Sequence, residues 1–140
     1  MLLIAVAVIS VAAASSVRTG EILQRHNAEQ LLLTVGDEFR VALVQYRQSG
    51  ASPSCPAELT DLLRDPRFAA PRRHLRRIPI DPLTGQRAWG TIRNAGGQIA
   101  GVYSLSAGRP LKRAEFPVGL DAFSVAEHYS DWVFGACGQG

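Results

Sequence analysis

The sequence predicts an α+β protein: a long N-terminal helix packed on a small antiparallel sheet. Three observations carry this. No proline occurs before Pro53. Leu32, Val35, Phe39, Leu43 and Tyr46 recur at steps of three and four, the spacing of one buried helical stripe. After Pro71 the chain changes to short β-like runs separated by turn residues. A chain of 140 residues holds one domain at most, plus whatever the N-terminus contributes.

The helix divides in two. Residues 1–17, "MLLIAVAVISVAAASSV", carry no charge, and Arg18 is the first ionisable side chain. Such a run spans about 24 Å as a helix, against a hydrocarbon core of about 30 Å. It is expected to form the membrane-anchor half of the helix. A cleaved signal peptide is the competitor, with Ala12, Ala13 and Ala14 near a cleavage site, but the positive start of a signal peptide is missing. All Lys and Arg lie after the apolar run, so the positive-inside rule alone would keep the rest of the chain in the cytoplasm, unless a basic leader lies upstream of Met1. Residues 18–48 form the amphipathic half, with Gly20 and Gly36 as candidate bends. "SGASPS" ends it, and residues 49–140 form the head.

"CPAELTDLLRDPRF" predicts a short second helix, with Pro56 at its first position, Leu59, Leu62 and Leu63 on one face, and Pro66 as the stop. Strands are predicted over Ala88–Arg93 and Gln98–Leu105, joined by a hairpin turn at Asn94–Gly97. "DPLTG", from Asp81, is a further turn. Tyr129–Phe134 reads as a last short strand with Trp132 turned inward, and "GACGQG" as a frayed tail.

Chemistry-bearing motifs are few. Cys55 and Cys137 are the only cysteines, and the count allows either one disulfide or two thiols. No zinc-type His/Cys spacing, Walker lysine, dinucleotide glycine motif or His-Glu-x-x-His is present. Ser130, His128 and Asp131 are neighbours in sequence without a nucleophile elbow. Asp81 reads as a turn-former, and pairing it with Asp131 as two catalytic carboxylates has no further support. His26 reads as a surface residue, and Trp89 and Trp132 as core anchors. No catalytic residue, cofactor or metal ligand is assigned, and no enzyme activity is expected.

The basic segment is the one strong charge feature. Arg64 to Arg77 holds six arginines and His74 against the single acid Asp65, in a chain whose net charge is only +3. Arg72, Arg73, Arg76 and Arg77 are candidates for a subunit contact or an anion contact; solvated scaffold is the third reading.

Taken together, the uncharged helix running into an amphipathic one, the Pro-initiated segment, "DPLTGQRAWG", "GGQIAGVYSLSAG" and the terminal "YSDWVF" resemble the pseudopilins of bacterial type II secretion systems and the wider type IV pilin family. The likeness covers about residues 1–134. It implies a structural subunit of a type II secretion pseudopilus or a type IV pilus-like filament, with other pseudopilin subunits, the secretion or pilus assembly machinery and the bacterial inner membrane as partners. It also implies a single-pass location with the head in the periplasm, and processing by a prepilin peptidase if a leader lies upstream. Leu3, Ile4, Ala5, Val8, Ala12 and Ala13 are the residues it points to for membrane and helix–helix contact, small side chains allowing close approach. Ala5 stands where most of the family carry a glutamate, which points to a minor or tip subunit. The calcium loop of major pseudopilins is matched only by scattered acids, Glu115, Asp121, Glu127 and Asp131. The alternative reading is a membrane-tethered binding module that uses the Arg-rich segment on DNA or anionic lipid.

Overall fold

The computed structural model describes residues 2–135 and Cys137; of residues 2–17 it describes the backbone alone. Helix α1 runs unbroken over Leu2–Ser49. The sheet has three antiparallel strands, β1 (Gly90–Arg93), β2 (Ile99–Tyr103) and β3 (Phe134–Gly135), in that order. The architecture is therefore α+β, one long helix against a small sheet.

Leu32, Val35, Phe39, Leu43 and Tyr46 are all buried, so the stripe at steps of three and four is the face that meets the sheet. Phe39 meets Trp89 edge to face at 5.0 Å, and the indole N–H of Trp89 donates to the Pro79 carbonyl at 2.9 Å. Gly36 is no bend. A Cβ there would lie 2.3 Å from the Phe134 ring, so the missing side chain lets β3 approach the helix. A second aromatic group closes the far side: Trp132 stacks on Phe123 at 5.4 Å and takes the edges of Phe116 and Tyr129. Trp132 does turn inward, and its indole N–H has no hydrogen-bond partner among the described residues.

The hairpin sits where the turn residues place it. Asn94 N donates the closing bond to the Gln98 carbonyl at 2.8 Å, and the pairing register shifts between Ile92 and Arg93. "DPLTG" closes onto "YSLS": Asp81 is buried, accepts from its own turn at Leu83 N (2.9 Å), and accepts from Ser104 Oγ at 2.6 Å.

Three expectations are corrected. The second helix is only a 3-10 turn, Leu59–Leu62; Pro56 and Pro66 leave too few residues for a stable α-helix, and Asp61 turns back to the backbone N–H groups of Ala57 and Glu58. The last strand is shorter than Tyr129–Phe134. Tyr129–Asp131 is a 3-10 turn, because Asp131 accepts from Glu127 N and His128 N, and pairing begins at Phe134. The single-pass inner-membrane location, with a periplasmic head, is overturned: among the described residues no helix is long and apolar enough to cross a membrane. Arg18, Glu21 and Arg25 charge the helix where a span would have to continue. The side chains of Leu3, Ile4, Ala5, Val8, Ala12 and Ala13 lie outside the described residues, as do Met1, Ala136 and the tail Gly138–Gly140.

Candidate functional site

The arginine-rich segment is two structures in one stretch of sequence. Its first half folds inward. Asp65 is buried and receives Arg67 through two guanidinium bonds, Nε to Oδ1 at 2.9 Å and Nη2 to Oδ2 at 2.6 Å, with the backbone N–H of Arg67 at 3.1 Å. His74 Nε2 adds a contact to Oδ2 at 3.0 Å. The same guanidinium reaches the Tyr46 carbonyl (2.6 Å) and Ser54 Oγ (3.1 Å), and stacks 3.7 Å over the Tyr46 ring. The Arg67 bonds, aided by His74, hold the Asp65 carboxyl well below the usual carboxylate range, against the opposing effect of burial. Its partner Arg67 is raised, chiefly by the same hydrogen bond. This buried pair ties the connector to the C-terminal turns of α1.

The second half faces outward. Arg72, Arg73, Arg76 and Arg77 are exposed, and none forms a salt bridge among the described residues. Only Arg72 has an intimate neighbour, the Phe68 ring at 4.6 Å. Their backbone is nonetheless fixed: Asp65 N bonds Arg72 O at 2.9 Å, while His74 N and Leu75 N both bond Leu62 O at 2.8 and 2.9 Å. Two clefts lie between this segment and α1. One, of about 460 Å³, is lined by Gln45, Gln48, Ser49, Arg72, Arg73 and His74. The other, of about 520 Å³, includes Asp37, Glu38, Arg76 and Arg77 and shares Gln45 and His74 with the first.

Two features had no forecast in the sequence. Glu29, an ordinary polar position by pattern, is fully buried and accepts from Leu111 N, from Lys112 N at 3.1 Å and from Tyr129 Oη at 2.6 Å. It latches the long C-terminal loop to α1. Burial and that Glu29 bond push the Tyr129 phenol up to about 12. The second is the open part of α1: every residue from Arg18 to Asn27 is exposed, including Ile22 and Leu23 at 59% and 58%. Burial begins only at Ala28 and Glu29.

The remaining candidates are scattered. Ser130 is exposed, and His128 lies 3.9 Å from Asp131 inside a single turn whose Asp131 carboxylate already serves backbone N–H groups. Asp81 is occupied by Ser104, with no bond to Asp131. His26 is exposed. Among the described residues no three His, Cys, Asp or Glu side chains come close enough to hold a metal ion, and Glu115, Asp121, Glu127 and Asp131 are all exposed. Cys55 and Cys137 are joined by a disulfide across 82 residues, tying the C-terminal end to the loop after α1. Compared with known protein families, curated proteins and solved structures, the chain matches none.

Proposed function

We propose that the chain is a structural subunit that assembles through its N-terminal helix into a filament of the type IV pilin or type II secretion pseudopilin kind. One observation carries this reading: α1 is a single helix, yet every residue from Arg18 to Asn27 is exposed and burial begins only at Ala28, with Arg25 reaching over the Tyr129 ring at 5.8 Å. About 15 Å of exposed helix, Arg18–Asn27, therefore runs on before the covered part, at 1.5 Å per residue. A solitary helix gains most of its stability from burying a face, and this one leaves Ile22 and Leu23 in water. Helices from other subunits are the partner that fits, since packing copies side by side buries an arm while leaving each head on the outside. A head-to-tail contact of this sort need not close, which gives a filament rather than a ring.

The closure of "DPLTG" onto "YSLS" through Asp81 and Ser104 supports the resemblance, because the two blocks that carry it meet in space. The buried roles of Glu29, Asp65 and Asp81 support a structural part for these three carboxylates.

Electron microscopy of the purified full-length chain tests the reading. Narrow filaments that grow with protein concentration are expected. A monomer at every concentration, or a closed oligomer of fixed size, would contradict it.

A further inference from the structure

Beyond assembly, we infer that the outward face of the basic segment, Arg72, Arg73, Arg76 and Arg77 with the adjoining side of α1, binds the phosphodiester backbone of a nucleic acid. Four guanidiniums without a carboxylate partner stand on a backbone pinned by Leu62, Arg72 and Asp65. The fixed backbone sets where the four side chains start, so the loop itself need not be ordered on binding, while the exposed guanidiniums are free to reach phosphates.

The first cleft supplies the right chemistry. Its lining combines Arg72 and Arg73 with the amides of Gln45 and Gln48 and contains no carboxylate; the Ser49 hydroxyl there already donates to the Gln45 carbonyl at 2.6 Å. A phosphate placed there meets donors on both walls. The second cleft continues it through the shared Gln45 and His74 to Arg76 and Arg77. It does hold two acids. Asp37 is already taken by Arg40 at 2.7 Å, leaving Glu38 as the opposing charge.

The shape selects a polymer. Five residue steps separate Arg72 from Arg77, at most about 18 Å of chain. A duplex strand places a phosphate every 3.4 Å or so along its axis, so such a row meets several at once. A free phosphate would use one end of it. A lipid surface would also want apolar side chains to insert beside the cations, and the aromatic within the segment, Phe68, is half-buried under Arg72. Recognition through the backbone predicts little preference for base sequence.

Fluorescence anisotropy with a labelled 20-base-pair duplex and the full-length chain, titrated across a salt series, tests this. Four contacts predict a log–log salt slope near about −3.6. Arg72→Gln with Arg73→Gln should weaken binding at least tenfold and reduce the slope by about two. Arg87→Gln with Arg109→Gln removes the same charge from exposed positions elsewhere and should change affinity less than threefold. Glu38→Gln should tighten binding. Circular dichroism confirms that each variant is folded, as expected for exposed side chains without hydrogen-bonded partners. Equal losses in the two arginine pairs would show bulk charge attraction only and overturn the site. Binding to phosphatidylglycerol vesicles through Arg72 and Arg73, with no binding to duplex, would overturn the nucleic-acid assignment.

Discussion

The covered and uncovered parts of α1 differ in what their side chains do, although the helix between them has no break. From Glu29 onward the helix is a wall of the head: Leu32, Phe39 and Leu43 are fully buried, and Glu29 and Tyr46 anchor loops that are distant in sequence. From Arg18 to Asn27 no side chain is buried. The arginine-rich segment repeats the contrast on a smaller scale, with Arg67 folded in and Arg72 to Arg77 turned out. One helix and one basic segment thus each divide into groups fixed by the fold and groups the fold leaves in solvent.

That division can be broken from either side. The largest expected loss is in the covered region. Replacing Cys55 and Cys137 together by Ser should cost about 4 kcal/mol, because the disulfide closes a loop of 82 residues in the unfolded chain, and urea denaturation reads the change. Asp65→Ala strands Arg67 and His74 at a largely buried site and should cost about 3 kcal/mol. A depressed carboxyl contributes stability above the unfolded value, about pH 4, and loses it as pH falls toward the folded value. The acid limb of the stability curve should therefore flatten in Asp65→Asn. Glu29→Gln keeps the shape but turns an amide NH₂ toward N–H and O–H donors, for about 2 kcal/mol. Here the sign runs the other way with pH. Tyr129 is raised, so its contribution is complete below about pH 10 and fades as pH climbs toward 12. Phenolate absorbance of the wild type against Tyr129→Phe reads that shift. The smallest stability effect belongs to the arm: Ile22→Asp with Leu23→Asp should change unfolding by less than about 0.5 kcal/mol, as exposed positions do. A large loss from the arm, or none from Asp65, would erase the contrast.

How much of this the sequence carries depends on the range of each interaction. The buried stripe of α1 is local periodicity, and it reads directly from Leu32 to Tyr46. The hairpin at Asn94–Gly97 is local turn chemistry and lands in place. Pairing the cysteines required the fold, since two residues 82 apart leave disulfide and free thiols equally open in sequence. Glu29 was illegible for the same reason: its donors sit 82 to 100 residues away, and nothing near it distinguishes it from a solvated glutamate. The second helix and the last strand are shorter than pattern implies because proline spacing and the Asp61 and Asp131 side-chain bonds favour 3-10 turns over longer elements. A helix pattern alone cannot show that Phe134 rests on Gly36. In the basic segment composition showed the charge, but only geometry separates Arg67 from its neighbours.

The assembly proposed for this chain places the exposed stretch Arg18–Asn27 of α1 against other copies. Sedimentation velocity of the full-length protein beside its Ile22→Asp, Leu23→Asp variant, at matched concentrations, tests it most directly. Large, concentration-dependent species are expected for the wild type and a folded monomer for the variant. Identical sedimentation of the two would contradict it.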